Sequence, residues 1–103
     1  MEKKEILDTS IAIKSKEGMI SIFTVIEHPP SISRFEIIFP EDMDYMKAIE
    51  ISNKLREIGK PIGAIDIIIA AMCLNRNSKL ITKDKDFEII KRIFPDFLLG
   101  LEN

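Results

Sequence analysis

Cysteine and histidine are almost absent from this sequence, and that closes off a good deal of chemistry. The single cysteine, Cys73, sits inside an apolar run, so there is neither a disulfide framework nor a thiolate metal cluster. The single histidine, His28, excludes a multi-histidine zinc site; beside Pro29 and Pro30 it reads as a loop residue. Positive charge is not in excess: 15 Lys and Arg against 17 Asp and Glu leave a net charge of −2. No overall basic field therefore draws the chain onto nucleic acid, and binding a polyanion would need a local patch or a bound cation. No apolar run is long enough to span a membrane. The charged start (Glu2, Lys3, Lys4, Glu5) has no signal-peptide apolar segment, so a reducing cytoplasmic setting is expected. Repeats, low-complexity segments and linkers are missing as well. The length points to one domain over residues 1–103. Gly59 and Gly63 flank a turn and form no phosphate-cradling pattern.

What is present is a series of short apolar runs separated by polar turns. Lys4–Leu7 is expected to form a first strand that delivers Asp8 at its carboxyl end, with Asp8 or Ser10 capping a short helix through Ile11–Ile13. Lys14–Gly18 reads as a solvated turn and Met19–Phe23 as a second strand. Thr24 and Glu27 have the capping-box spacing for a helix that Pro29 and Pro30 cut short. Ser31–Arg34 reads as loop, and Glu36–Phe39 as a third strand closed by Pro40. Glu41 and Asp42 open an amphipathic helix whose apolar stripe, serving the core or an interface, is expected at Met46, Ile49, Leu55 and Ile58, with Ala48 and Ile51 nearby. Gly59 and Pro61 stop it. From Ile67 to Leu74 the chain is apolar on every side, as in a helix buried all round, and Asp66 opens that run. A turn over Asn75–Ser78 leads to a strand at Leu80–Ile81, which ends in Thr82-Lys83-Asp84-Lys85-Asp86. Asp86 is expected to cap a last helix, Phe87–Arg92, and Phe97–Leu101 to form an edge strand.

Strands alternating with helices, built from apolar runs without strict alternation, point to a parallel sheet with helices on both faces. Sites in such sheets lie outside the carboxyl ends of the strands. This layout puts Asp8 and Asp84 there, starts a helix with Asp66 at the same edge, and makes Glu27 a fourth candidate. Grouped carboxylates repel one another unless a cation or protons intervene. Magnesium and manganese prefer oxygen ligands, and a metal held there can activate a water against a phosphodiester. The positive end of its helix favours the ionised form of Asp66. Plainer roles compete with these: Asp8 as a helix N-cap, Asp66 as a first-turn charge, Glu27 as half of a capping box. Lys79, Lys83 and Lys85 read as solvated surface, with phosphate contacts as the lesser alternative.

Three segments, ILDTS (residues 6–10), PIGAIDIIIAA (61–71) and LITKDKDF (80–87), in this order resemble PIN domains. More narrowly they resemble the compact prokaryotic VapC toxins of toxin–antitoxin pairs. The resemblance implies a three-layer α/β/α fold with a central, mostly parallel sheet and a Mg²⁺- or Mn²⁺-dependent endoribonuclease acting on RNA. On that match Asp8, Asp66 and Asp84 are the catalytic, metal-holding acids and Glu27 assists, while Thr9, Ser10 and Thr82 are supporting hydroxyls. An antitoxin partner is implied too. A two-fold homodimer is expected, because the Met46–Ile58 helix and the Pro61–Ile65 segment carry more apolar residues than one sheet face needs. Two departures stand out. Only a short stretch separates Ser10 from Met19, where the family carries an extra helical hairpin, and His28-Pro29-Pro30 truncate the helix bearing Glu27. They leave open a second reading, a degenerate PIN domain that binds RNA or a protein without cutting. A receiver-type phosphoacceptor domain ranks below both, because the middle of the chain offers no strand-end aspartate to accept the phosphoryl group.

Overall fold

Short apolar runs become strands in this chain because helices from both sides bury them. The structure, a computed structural model, describes residues 4–103; the charged start at Glu2 and Lys3 lies outside the described residues. Five strands, β1 (Glu5–Leu7), β2 (Met19–Ser21), β3 (Glu36–Ile38), β4 (Lys79–Thr82) and β5 (Leu98–Leu101), form one parallel sheet in the order β3-β2-β1-β4-β5. Side chains alternate across it. Ile6, Met19, Ile38, Leu80 and Leu99 belong to one core with α3 (Asp42–Glu57), α4 (Ala64–Arg76) and α5 (Glu88–Ile93). Leu7, Ile20 and Ile37 belong to a smaller core under α1 (Thr9–Ala12) and α2 (Ile22–Glu27). The parallel sheet and the α/β/α layering expected from the sequence are both present.

The all-apolar helix is α4, with Ile67 and the run Ile69–Cys73 buried. It ends where Asn77 takes a left-handed backbone (φ 52°), a conformation asparagine tolerates better than most residues. Burial pushes the Cys73 thiol up to about 12, so it is packing, not a nucleophile. Among the described residues no helix is long and apolar enough to cross a membrane.

Four local expectations need correction. In α3 the buried residues are Asp44, Ala48, Ile51 and Leu55, whereas Met46, Ile49 and Ile58 are 67%, 55% and 49% exposed. The helix is rotated because Asp44, fully buried, is anchored to the end of α4. Its carboxylate accepts from both terminal nitrogens of Arg76 (2.9 Å each), from Asn75 Nδ2 (2.9 Å) and from the Glu41 N–H (2.7 Å). Burial alone would raise the Asp44 pKa, but these hydrogen bonds outweigh it and hold the carboxyl below its ordinary value.

The remaining corrections concern the loops. The second strand stops at Ser21, whose side chain caps α2 by accepting from the Thr24 N–H. Thr24 and Glu27 therefore lie within the helix and form no capping box, which frees both side chains for Thr9. A 3₁₀ turn, Pro29–Ser33, stands where a loop was expected, its first position suited to proline. Finally, Asp84 rather than Asp86 caps the turn Lys85–Phe87 that leads into α5, accepting from the Asp86 N–H at 2.9 Å.

Candidate active site

The site begins where two central strands stop together. Leu7 of β1 lies in register with Ile81 of β4, and the Asp8 N–H extends the ladder by donating to the Ile81 carbonyl (2.9 Å). Asp8 and the segment after Thr82 thus leave the sheet side by side at its carboxyl edge. Thr82, fully buried, donates from Oγ1 to Asp8 Oδ2 (2.7 Å) and accepts from the Asp84 N–H (3.0 Å). One hydroxyl therefore orients the first acid and places the last. The Thr9 N–H takes the other Asp8 oxygen at 3.0 Å, so the first acid does serve as the cap of α1.

Glu27 is brought in by a different link. Thr9 Oγ1 lies 2.6 Å from Glu27 Oε1 and 3.2 Å from Thr24 Oγ1. A hydroxyl has one proton; the shorter bond to the carboxylate takes it, and Thr24 then donates to Thr9. The start of α1 and the end of α2 are tied together, although fifteen or more residues separate the partners. Asp66 arrives from the opposite layer as the third residue of α4.

These residues line one open cleft of about 630 Å³: Asp8, Thr9, Ser10, Glu27, Asp66 and Asp84, together with Ile13 and Lys83. Every site residue expected from the sequence is on its wall except Thr82, which lies buried beneath it. Ser10 is exposed on the wall. Lys83, for which solvated surface ranks above phosphate contact on sequence grounds, is the residue that sequence reasoning undervalued. The available signal was its place between Thr82 and Asp84, both of which belong to the site.

Charge dominates the cleft. The Asp66 carboxyl is pushed up to about 6, first by burial, then by the negative charges of Asp84, Asp8, Asp86 and Glu27. The net shift thus runs against the expectation that the helix terminus favours the ionised form of Asp66. The dipole offers about 0.3–1 kcal/mol at most exposed sites. The rise from 3.8 to about 6, discounted for solvent screening in this open cleft, represents about 1–2 kcal/mol in the other direction.

Among the described residues no three Asp, Glu, His or Cys side chains stand close enough to make a ready-formed metal cage. The donor set still suits a hard divalent ion. Apart from the Lys83 ammonium, the polar side chains facing the cleft offer carboxylate and hydroxyl oxygens, with neither thiolate nor imidazole, and Mg²⁺ keeps several of its own waters rather than demanding a full protein shell. A cation would also relieve the repulsion that raises Asp66.

Comparison with known proteins bears on the whole chain. The family model for the PIN domain matches residues 29–93, a span that contains Asp66 and Asp84 but not Asp8 or Glu27. No curated protein matches the sequence significantly. Among solved structures, the DNA-bound VapBC from Salmonella typhimurium superposes with a TM-score of 0.77 at 22% identity, over 96% of this chain and 98% of that one. VapBC-5 from Mycobacterium tuberculosis, a member of the VapBC family of toxin-antitoxin systems, gives 0.79 at 18% identity over 95% and 98%. VapBC-1 from nontypeable Haemophilus influenzae gives 0.71 at 20% identity over 94% and 96%. At these identities the likeness establishes the fold, and it extends well beyond the stretch that the family model covers.

Proposed function

The chain belongs to the PIN-domain family, and on that premise we propose that it is a Mg²⁺- or Mn²⁺-dependent endoribonuclease that hydrolyses RNA phosphodiester bonds. The observation that carries this reading is the gathering of Asp8, Glu27, Asp66 and Asp84, from four separate places in the chain, around one cleft at the carboxyl edge of the sheet. PIN domains are generally nucleases that use divalent metal ions. In the proposed site Asp8, Asp66 and Asp84 hold the ion and Glu27 assists; when bound, the ion supplies an activated water and neutralises charge building on the phosphodiester. The chain's own groups do the positioning. Thr82 fixes the Asp8 carboxylate and the backbone of Asp84, and Thr9 holds Glu27 at Oε1. Asp66 has to lose its proton before it can serve as a ligand, which ties metal uptake to pH. Asp8→Asn and Asp66→Asn should each abolish metal-dependent RNA cleavage while leaving the circular dichroism spectrum unchanged. Full cleavage by both variants would put any activity elsewhere.

One observation favours a second reading. With no ready-formed three-ligand cage among the described residues, a PIN domain that binds RNA or a protein without cutting is the alternative. Titration with Mn²⁺ separates the two. Binding that weakens on acidification supports the nuclease, and no binding at millimolar metal supports the scaffold.

The proposal extends to assembly. We place the protein in the cytoplasm, as a single domain and as the toxin of a toxin–antitoxin pair, in line with the complexes its fold resembles. The exposed apolar residues Met43, Met46, Ile49 and Ile58 on or at the end of α3, with Ile65 at the start of α4, support a two-fold homodimer that covers them.

A further inference from the structure

Next to the acidic cleft lies a second groove, about 350 Å³, lined by three cations and two acids. Lys60 comes from the turn after α3, Lys85 from the turn after β4, and Arg92 from α5; all three are exposed and line this one groove. Its apolar surface comes from Pro61, Ile62 and Ile89. Asp86 and Glu88 also line it, yet among the described residues none of the three cations forms an ion pair. The two clefts meet along one short segment. Lys83 and Asp84 line the acidic cleft, while Lys85 and Asp86, the next two residues, line the second groove.

The charge pattern has a physical consequence. Without a bound ion, a phosphodiester strand entering a cleft lined by four acids meets one positive side chain there, Lys83. In a chain of net charge −2, the attraction has to come from phosphates on either side of the one being presented. Three unpaired cations from three elements, converging beside the acids and open to solvent, meet that need; apolar side chains between them can pack against ribose and base faces.

We propose that this groove is a docking subsite for the substrate RNA, in which Lys60, Lys85 and Arg92 hold backbone phosphates of a single strand next to the segment lying in the acidic cleft. The inference rests on the ribonuclease reading and is tested separately from it. Each single-strand phosphate contact contributes about 0.7 to the slope of log affinity against log salt, which at roughly 0.1 M salt corresponds to about fivefold in affinity. Loss of three contacts should therefore weaken binding by about a hundredfold and lower the slope by about 2.

The experiment measures binding of a short labelled oligouridylate to the full chain in EDTA, by anisotropy across a salt series. The triple variant Lys60→Ala/Lys85→Ala/Arg92→Ala is compared with Lys4→Ala/Lys16→Ala/Lys79→Ala. The second triple removes the same charge at the amino edge of the sheet, where Lys4 and Lys79 flank the strand starts. Weakening and a reduced slope confined to the groove variant support the subsite. Equal loss in both triples, or no loss in the groove variant, overturns it, as does a wild-type chain that fails to bind the oligonucleotide. Polyglutamate that displaces the RNA charge for charge also overturns it, because it marks an acidic-peptide site instead. If the triple variant melts early, the single change Lys85→Gln, expected to cost about fivefold, carries the same test. Failure of the ribonuclease reading looks different: cleavage that survives Asp8→Asn and Asp66→Asn, whatever the groove binds.

Discussion

Replacing Asp66 with asparagine should make the metal-free protein more stable at neutral pH, even though it removes a residue from the proposed site. The folded-state pKa of Asp66 is about 6, against an ordinary value of 3.8. Between those values the folded chain holds a proton that the unfolded chain has released, so this group's contribution to stability is lost as pH rises through the window. At about 1.4 kcal/mol per pH unit the cost above pH 6 would reach roughly 3 kcal/mol in a closed site. Asp66 is only partly buried and its cleft is open, and solvent screening brings the expected figure to about 1–2 kcal/mol. Asparagine mimics the protonated carboxyl. Wild type and Asp66→Asn should therefore melt together near pH 3.5. At pH 7.5 in EDTA the variant should melt higher, by about 4–8 °C for each kcal/mol. The measurement is thermal unfolding of both proteins across that pH range, which cancels every titration they share. Millimolar Mn²⁺ should reverse the order at pH 7.5, because only the wild type gains stability from tight binding at this position. An Asp66→Asn protein as stable as wild type at every pH, or less stable at pH 7.5 in EDTA, would refute the reasoning about crowded charge.

Three further outcomes follow from particular contacts. Thr82→Val keeps the shape but removes the hydroxyl between Asp8 and the Asp84 N–H; it should cost about 1–3 kcal/mol in denaturant unfolding and about 10–100-fold in Mn²⁺ affinity by calorimetry, and unchanged affinity would remove Thr82 from the positioning role. Arg76→Ala strands the buried Asp44 carboxylate and should cost about 3–5 kcal/mol at pH 7. Because the Asp44 pKa is held below 3.8, that stability is present above 3.8 and lost as pH falls through the lower folded value; the gap between wild type and variant should accordingly close on acidification, and a gap independent of pH would contradict the assignment. Met46→Glu/Ile49→Glu alters two exposed side chains and should convert a dimer to a monomer by light scattering, with little change in melting temperature. A monomeric wild type at every concentration of a dilution series would end the dimer proposal.

Much of this protein was legible in the order of its residues. Apolar runs too short for isolated helices, alternating with longer amphipathic or wholly apolar ones, specify a parallel α/β layering, since such strands are stable only with both faces covered. Asp8 and Asp84 follow strands directly and Asp66 opens a helix, so their arrival at the carboxyl edge is a property of local sequence and layer topology. What one-dimensional reasoning misplaced depended on partners far along the chain. The rotation of α3 is set by Asp44 meeting Arg76, 32 residues away, and no periodicity within α3 contains that information. Thr24 and Glu27 carry a capping-box spacing, but Ser21 starts the helix earlier and Thr9, 15 and 18 residues upstream, claims their side chains. The direction of the Asp66 shift reversed for the same reason: its own helix favours a charge, while burial and four acids from other segments oppose it more strongly. The second groove likewise exists only because three surface cations, each unremarkable on its own element, are brought to one edge. Local sequence determined which residues head each element; the sums of charge, burial and hydrogen bonding at the cleft were decided by the tertiary structure, because those energies depend on distances that only the folded chain defines.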